Sequence, residues 1–259
     1  MHLCANLSML WPDRPLAARV AAAAEVGFPA VEVQFPTEDQ VAELRMAARE
    51  SGVAITLINV PRGRGDEVGL AALPGREADF ADAVATCRAQ AEILGVAKVN
   101  VLAGRPPPDA DPRDCAATLT RNLRHAAESF APLGVRVMVE PVNPRDVPGF
   151  FLTGLDAGLD ALNRAAHPNL ALQFDLYHMA ITEPDLPAAI RRAGAAIGHV
   201  QFADAPGRHE PGTGAIDFAA ALAALRAAGY DGAVSAEYTP LGDTAEGLGW
   251  MSRFKELIA

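Results

Sequence analysis

Residues 136–142 read Arg-Val-Met-Val-Glu-Pro-Val, and residues 170–176 read Leu-Ala-Leu-Gln-Phe-Asp-Leu. Both runs are short and largely apolar, which is typical of strands buried in a parallel sheet. Between them, residues 154–165 carry a helical pattern, and parallel strands need a crossover of about that length. This stretch therefore predicts a β-α-β unit.

The same alternation continues in both directions and fills the chain. Predicted strands lie at residues 2–6, 30–35, 55–60, 98–103, 136–142, 170–176, 198–203 and 233–238. Predicted helices lie at residues 16–26, 38–51, 76–94, 112–133, 154–165, 184–193, 218–228 and 244–257. Eight such units in 259 residues, with no linker between them, predict an α/β fold. We expect a single (β/α)8 TIM barrel over residues 1–259, ahead of a doubly wound open sheet.

Composition and charge exclude several functional classes. Half of the residues are hydrophobic, and the net charge of −10 offers no basic surface for nucleic acid or anionic lipid. No GxGxxG or P-loop motif is present, so the sequence indicates no nucleotide cofactor. Cys4, Cys87 and Cys115 are far apart and resemble buried apolar residues. With no signal peptide or membrane span, we expect a cytoplasmic protein.

Polar residues at the carboxyl ends of the strands are the candidates for an active site, because that rim carries the site in such barrels. Glu140, Asp175, Gln201 and Glu237 end the last four predicted strands, and we expect them at equivalent heights. The layer beneath them is predicted to contain Met138, Gln173, His199 and Ser235. Of these, His199 is expected to hold Gln201.

A divalent metal ion is predicted at this rim. Three carboxylates repel each other and are costly to bury unless a cation neutralises them. Together with the amide oxygen of Gln201 they form an all-oxygen set, which suits Mg²⁺ or Mn²⁺ better than Zn²⁺. We therefore expect the metal at Glu140, Asp175, Gln201 and Glu237. The alternative is that one or two of these acids pair with an arginine.

Other polar residues near the rim are candidates for substrate binding. His178, three residues after Asp175, can bind the substrate, clamp another side chain or bind the metal. Arg208, in the loop after the seventh strand, can hold a small carboxylate, although this loop can equally be a simple flexible turn. The first four strands contribute hydrogen-bonding residues at Asn6, Glu32, Asn59 and Asn100.

Two glutamates at a divalent metal suit the movement of a proton between adjacent carbons of an α-hydroxycarbonyl compound. The metal chelates the two oxygens and stabilises an enediolate, one glutamate removes the C–H proton, and the same or the opposite glutamate returns it. The sequence therefore predicts an aldose–ketose isomerase or epimerase in which Glu140 and Glu237 are catalytic.

Seven ordered segments resemble the hydroxypyruvate isomerase family, which belongs to the xylose isomerase-like barrels. They lie at residues 5–10 (Ala-Asn-Leu-Ser-Met-Leu), 73–77, 140–143 (Glu-Pro-Val-Asn), 148–150, 175–179 (Asp-Leu-Tyr-His-Met), 210–214 (Glu-Pro-Gly-Thr-Gly) and 237–238. The resemblance covers essentially the whole chain. It implies conversion of hydroxypyruvate to 2-hydroxy-3-oxopropanoate (tartronate semialdehyde). It also implies Glu140 and Glu237 as the acid–base pair, within the metal set already named.

Several alternatives accompany this prediction. The 2-oxo-tetronate isomerases share the opening motif and the Glu-Pro loop and rank second, together with related small-sugar isomerases and epimerases. The family commonly has a lysine two residues after its last glutamate, where this chain has Thr239. Arg208 or Arg62 can replace that lysine, or the preferred substrate has changed. Barrels of this kind often form dimers or tetramers, so a homo-oligomer is compatible with the sequence.

Two other classes fit less well. A barrel-type DNA-repair phosphodiesterase would need a basic groove and a histidine-rich cluster of several metals. A binding protein with a vestigial site is disfavoured because both candidate glutamates are present.

Overall fold

Eight parallel strands close a barrel in chain order, each pairing with the next and the last with the first. The computed structural model describes all 259 residues. The strands are β1 His2–Asn6, β2 Ala30–Val33, β3 Ala54–Asn59, β4 Lys98–Val101, β5 Arg136–Val139, β6 Leu170–Asp175, β7 Ile197–Phe202 and β8 Ala233–Ala236. The helices are α1 Leu16–Glu25, α2 Glu38–Ser51, α3 Glu77–Leu94, α4 Pro112–Phe130, α5 Gly154–Ala165, α6 Leu176–Thr182, α7 Leu186–Ala193, α8 Phe218–Ala227 and α9 Met251–Ile258. The predicted (β/α)8 barrel is confirmed.

Local signals in the sequence explain where several helices begin and end. At the start of α2, Gln40 Oε1 accepts a hydrogen bond from the backbone N–H of Thr37 at 3.0 Å, which is half of a capping box. The same helix ends at Gly52, whose φ of +67° is the left-handed conformation that glycine adopts without steric cost. Asp217 caps α8 by accepting a hydrogen bond from the N–H of Ala220.

Most strands end earlier at the rim than the sequence predicted. β5 ends at Val139 and β8 at Ala236, so Glu140 and Glu237 each follow the last residue of a strand. β2 and β4 likewise end at Val33 and Val101, two residues before the predicted ends. The regular pairing of β8 with β7 ends at Ala236, although the N–H of Glu237 still donates to Phe202 O at 2.9 Å.

The chain between β6 and α7 contains a helix that the sequence did not predict. Asp175 is the last residue of β6 and also the N-cap of the seven-residue helix α6, because its Oδ1 accepts from the N–H of Tyr177 at 2.8 Å. The helix predicted from residue 184 begins at Leu186. The last predicted helix, from residue 244, consists of a 3₁₀ turn over Glu246–Trp250 followed by α9.

Aromatic side chains attach the C-terminal helix to the barrel. Trp250 and Phe254 pack on Phe202 of β7, with ring centroids 5.2 Å and 4.8 Å away. Trp250 also donates a hydrogen bond from Nε1 to the hydroxyl of Tyr238 at 3.2 Å. Since Tyr238 follows Glu237, this contact helps to fix the chain where the eighth strand ends. None of the helices is long and apolar enough to cross a membrane.

Candidate active site

The four residues predicted as metal ligands are all buried at the carboxyl end of the barrel. Asp175 and Gln201 are register partners on β6 and β7, but Gln201 is paired with Ser235 on β8. Glu237 therefore lies two residues beyond the register partner of Gln201. Strands in a barrel are tilted and staggered, so residues at one height along the barrel axis are offset in the pairing register, and this offset is compatible with the expected equivalent heights. The two side chains meet, with Gln201 Nε2 3.2 Å from Glu237 Oε1.

Glu140 is held through one of its two carboxylate oxygens. Its Oε2 accepts hydrogen bonds from Asn100 Nδ2 at 2.7 Å and from Gln173 Nε2 at 2.9 Å. Its Oε1 lies 3.9 Å from His178 Nε2. Burial, with the nearby charges of Glu237 and Asp175, raises the pKa of Glu140 well above its usual value. A carboxylate with a raised pKa and one less constrained oxygen is suited to accept a proton.

Both carboxylate oxygens of Glu237 have donors. Asn6, Gln34 and Gln201 donate to Oε1 at 3.0, 2.7 and 3.2 Å, and Arg208 donates to Oε2 at 2.5 Å. Burial raises the pKa of Glu237, although Arg208 acts in the opposite direction. The alternative that one of the acids pairs with an arginine is thus realised at Glu237.

Asp175 presents one carboxylate oxygen without a partner. Its Oδ1 caps α6, but its Oδ2 is buried and forms no hydrogen bond. The nearest polar groups are His178 Nε2 at 3.5 Å and Arg208 Nη2 at 3.8 Å. Burial raises the pKa of Asp175 to about 6, with Arg208 opposing the shift. A buried oxygen left in this way is a position that a cation can satisfy.

His178 lies on α6 with a defined tautomer. Its Nδ1 is 2.7 Å from Asn143 Nδ2 and 3.4 Å from the backbone N of Asn143. Exchanging the oxygen and nitrogen of the Asn143 side chain would break two hydrogen bonds, because Oδ1 accepts from the N–H groups of Arg145 and Asp146, each at 3.0 Å. Two donors thus face Nδ1, and burial lowers the pKa of His178 to about 4. The neutral ring therefore carries its proton on Nε2, facing Asp175 and Glu140.

The arrangement is compatible with a divalent metal. Glu140, Asp175 and His178 each offer a ligand atom, and these three atoms lie within 4.8 Å of one another. The tautomer of His178 makes its Nε2 a hydrogen-bond donor rather than a lone-pair ligand. Carboxylate oxygens are consequently the ligands that suit a cation here, and oxygen donors favour hard ions such as Mg²⁺ and Mn²⁺.

Glu32 and His199 lie beneath the rim and form a buried pair. Glu32 Oε2 is 2.7 Å from His199 Nε2, while Glu32 Oε1 accepts from Asn6 and Gln201 at 2.8 and 2.6 Å. Burial alone would raise the pKa of Glu32, but His199 and these hydrogen bonds outweigh it and lower the pKa. Glu32 is fully buried with both oxygens engaged, so the predicted substrate contact does not fit its position. The expectation that His199 holds Gln201 is also wrong, since His199 contacts Glu32.

Arg208 reaches the cluster from the loop between β7 and α8, which contains internal hydrogen bonds. Asp204 organises this loop by accepting hydrogen bonds from the N–H groups of Ala205, Gly212 and Ile216. The guanidinium carbon of Arg208 lies 5.2 Å from the centroid of the Tyr177 ring. The loop thus directs a cation towards Asp175 and Glu237.

The structure does not bring every candidate into the cluster. Asn59 is buried at the end of β3, but its side chain forms no hydrogen bond with the rest of the chain. Arg62 stacks on Phe35, with its guanidinium carbon 5.4 Å from the ring centroid. Thr239 contributes its backbone, because its N–H donates to Arg208 O at 2.9 Å.

Two contributing residues were missed from the sequence. Gln34 follows Glu32 by two residues, so strand alternation places it on the same face and could have indicated it. Asn143 belongs to the Glu-Pro-Val-Asn segment, but nothing in its spacing indicates that it orients a histidine.

Known proteins with this fold match the chain over nearly its whole length. The family profile described as xylose isomerase-like TIM barrel matches residues 20–254. The chain is 42% identical to the 2-oxo-tetronate isomerase of Cupriavidus necator, and the match covers 98% of each protein. It is 37% identical to the hydroxypyruvate isomerase of Escherichia coli, over 98% of this chain and 100% of the relative.

Solved structures give the same picture of the fold. A Brucella melitensis structure described as an AP endonuclease of family 2 is 35% identical, with a TM-score of 0.94 over 98% of this chain and 99% of that one. A D-psicose 3-epimerase from Clostridium cellulolyticum, at 20% identity, shares the fold with a TM-score of 0.76 over 100% and 96% of the two chains. The chain belongs to the xylose isomerase-like TIM barrel family.

Proposed function

We propose that the protein is an isomerase that interconverts hydroxypyruvate and 2-hydroxy-3-oxopropanoate. Its relatives named as hydroxypyruvate and 2-oxo-tetronate isomerases align over nearly the full length. The observation that carries the proposal is the pair of buried glutamates, Glu140 and Glu237, whose pKa values are both raised. Raised pKa values bring a carboxylate closer to the range in which it can take and return a proton near neutral pH.

The reaction requires that a proton leave one carbon and another proton reach its neighbour. Hydroxypyruvate loses a proton from C3 to one glutamate and gains a proton at C2 from the same or the opposite glutamate. The hydroxyl proton moves from the C3 oxygen to the C2 oxygen, so atoms and electrons balance. Glu140, with its less constrained Oε1, and Glu237, held by donors on both oxygens, are the residues proposed for these transfers.

We assign the metal set to Glu140, Asp175, Gln201 and Glu237, with Mg²⁺ or Mn²⁺ as the ion. The partnerless Oδ2 of Asp175 supports a cation at this position. A bound divalent ion would supply positive charge to the substrate oxygens that become anionic when the C–H proton is removed.

The remaining cluster residues are proposed to bind the substrate. His178 offers Nε2–H as a donor to a substrate oxygen, and Arg208 offers its guanidinium to the carboxylate. For Arg208 to do so, its present contact with Glu237 must loosen. Asn6 is proposed to act indirectly, since its amide already holds Glu237 and Glu32.

A 2-oxo-tetronate is the second candidate substrate. The chain is more similar to the Cupriavidus necator 2-oxo-tetronate isomerase, at 42% identity, than to the Escherichia coli hydroxypyruvate isomerase, at 37%. This acid differs from hydroxypyruvate by a CH₂OH group on C3, and the same proton transfer from C3 to C2 converts it. The chemistry is shared, and the substrate pocket decides between the two acids.

The two acids can be compared directly with purified protein, Mg²⁺ or Mn²⁺, and initial rates for each. We expect Glu140→Gln and Glu237→Gln to lower kcat by about 10²–10⁴-fold on the preferred acid, because each removes a proton-transfer group without changing its shape. Glu43→Gln, the same change at an exposed position on α2, serves as the control and should leave kcat unchanged. Full activity in both site variants, with the fold intact, would contradict the proposal.

A DNA-repair activity, suggested by the description of the Brucella melitensis structure, is disfavoured. The candidate metal group contains one histidine among three residues, and the chain carries a net charge of −10. An incision assay on a duplex with an abasic site tests this directly, and we expect no cleavage.

We also propose a cytoplasmic location for the protein, which fits its three buried free cysteines.

A further inference from the structure

Glu32 occupies the centre of a hydrogen-bonded set inside the barrel, directly beneath the proposed metal set. His199 Nε2 lies 2.7 Å from Glu32 Oε2, and Lys98 Nζ lies 3.4 Å from the other ring nitrogen of His199. Glu32 Oε1 faces the side-chain amides of Asn6 and Gln201 at 2.8 and 2.6 Å. His199 thus holds the Glu32 carboxylate through Oε2, and Oε1 accepts hydrogen bonds from the residues nearer the rim.

Asn6 lies between the carboxylates of Glu32 and Glu237, where only a hydrogen-bond donor fits. Its Oδ1 accepts from the backbone N–H of Ser8 at 3.0 Å, which leaves its NH₂ group turned to the two carboxylates. That NH₂ group donates to Glu32 Oε1 and to Glu237 Oε1. Reversing the amide would place three oxygens together and leave them without a proton to share.

The side-chain amide of Gln201 must also turn its NH₂ group to these two carboxylates, and this fixes where its oxygen lies. Its Nε2 lies 2.6 Å from Glu32 Oε1 and 3.2 Å from Glu237 Oε1, so the nitrogen must occupy this end of the amide. Its Oε1 therefore lies at the other end, where it accepts from Gln173 Nε2 at 2.7 Å. Gln173 Nε2 also donates to Glu140 Oε2, so the Gln201 oxygen faces the Glu140 side of the site.

We propose that Glu32 is a positioning residue that turns the carbonyl oxygen of Gln201, instead of its NH₂ group, towards a divalent ion. This inference rests on the metal set assigned under the proposed function. A side-chain amide offers a metal ligand at one end only, so its orientation decides whether Gln201 can bind the ion. Glutamine at position 32 has an oxygen at one end only, so it cannot accept from Asn6 and Gln201 at one end and from His199 Nε2 at the other, and it would select the orientation of Gln201 less strictly.

The direct test is the affinity for Mn²⁺, measured by the electron paramagnetic resonance signal of the free ion during titration of the whole protein. Loss of a group that orients a metal ligand commonly weakens binding by about 10–100-fold, and we expect this weakening for Glu32→Gln. Glu210→Gln is the matched control, because Glu210 is also buried and accepts from a backbone N–H, that of Leu241, but lies outside the metal set. Its affinity for Mn²⁺ should equal that of the wild type. Melting temperatures without metal show whether both variants fold.

Repeating the Glu32→Gln exchange in a Gln201→Glu variant distinguishes two effects: the loss of the orientation of residue 201 and the loss of the negative charge of Glu32. In Gln201→Glu, residue 201 has oxygens at both ends, so it needs no orienting partner. We expect Glu32→Gln to cause no loss of Mn²⁺ affinity in this background, because the exchange also removes a contact between two carboxylates. An equal loss in both backgrounds would show that Glu32 acts only through its charge, and would overturn the inference.

The remaining outcomes are also decisive. If the wild type binds Mn²⁺ and Glu32→Gln binds it equally well, the positioning role is wrong and the proposed metal set stands. If the wild type binds no Mn²⁺, the metal set itself is wrong, and the role of Glu32 falls with it.

Discussion

Asn143 determines which nitrogen of His178 carries the proton. Its amide oxygen is engaged by two backbone N–H groups, so only its NH₂ group and its own backbone N–H face the imidazole. The proton of the neutral ring is thereby placed on Nε2, towards Asp175 and Glu140. A histidine in this state donates a hydrogen bond into the site, which is the role proposed for it with the substrate.

Replacing Asn143 with aspartate should move that proton. Aspartate keeps an oxygen for the two backbone donors but presents its second oxygen, an acceptor, to His178 Nδ1. We expect the ring to become Nδ1–H and kcat to fall at least about tenfold, because Nε2 can no longer donate. The tautomer can be read from the ¹⁵N chemical shifts of labelled histidine, with Asp146→Asn as the control that keeps the amide in place. An Nε2–H ring in Asn143→Asp would contradict this account.

The sequence predicted the residue types of the site better than their partners. The position of Glu140, Asp175, Gln201 and Glu237 at the carboxyl end of the barrel could be predicted, because alternation and strand ends indicate which side chains face the barrel mouth. Alternation does not indicate depth, and for this reason Glu32 was expected at the substrate. The roles of Asn143 and Gln34 depend on contacts between distant segments, which single-sequence spacing does not encode.

At the scale of elements, the segment after β3 packs closely on the end of β4. Ala72 N–H donates to Ala103 O at 2.7 Å, and Gly69 forms an isolated bridge with Ala103. Gly104 follows with a φ of +90°, and a Cβ added there would lie 2.1 Å from Gly69 O. This approach of two backbones is possible only without a side chain at Gly104.

Gly104→Ala should therefore destabilise the protein by about 2–5 kcal/mol, since both the positive φ and the clash with backbone must be accommodated. Gly75→Ala is a matched control: its φ is +82°, but no atom lies within 4 Å of the added Cβ. We expect that control to cost about 1–2 kcal/mol, from the φ alone. Urea unfolding of both variants measures the difference. Equal losses would show that the close approach to Gly69 has no energetic consequence.

The longer helices were predicted to within a few residues, and the seven-residue α6 was not predicted at all. α2 and α5 have the predicted bounds, and α2 combines a capping glutamine with a terminal glycine. α6 has only seven residues and begins inside an apolar run that also reads as a strand, so no periodic pattern distinguishes it. The 3₁₀ turn before α9 was merged with the helix for a similar reason.

At the scale of the whole molecule, the stability of the protein is linked to the charge state of its buried rim. The pKa values of Glu140, Asp175 and Glu237 are all raised, so the metal-free folded protein holds protons that the unfolded chain releases. A carboxyl group whose pKa is higher in the folded protein than in the unfolded chain contributes its full share to the free energy of unfolding below the unfolded-state pKa. That contribution is lost as the pH rises through the folded-state pKa. For Asp175 this interval extends from 3.8 to about 6.

We therefore expect the free energy of unfolding of the metal-free wild type to fall between pH 4 and pH 7 relative to that of Asp175→Asn. The expected difference is roughly 2–3 kcal/mol, because Asp175 must ionise inside the barrel while asparagine does not titrate. Added Mn²⁺ favours the ionised carboxylates, so it should raise the melting temperature more at pH 7 than at pH 5. Unfolding in EDTA and in Mn²⁺ across this range provides the test. A metal effect that is independent of pH would contradict the linkage.

We propose that the buried glutamates move a proton between two adjacent carbons of a small 2-oxo acid. Proton NMR in D₂O can follow this transfer, with hydroxypyruvate and a 2-oxo-tetronate offered in parallel to the wild type and to Glu140→Gln and Glu237→Gln. We predict wild-type turnover of at least one acid, with solvent deuterium at C2 of the product, and loss of both signals in the variants. Turnover of neither acid by metal-loaded wild-type protein, or unchanged deuterium incorporation in both variants, would contradict the account.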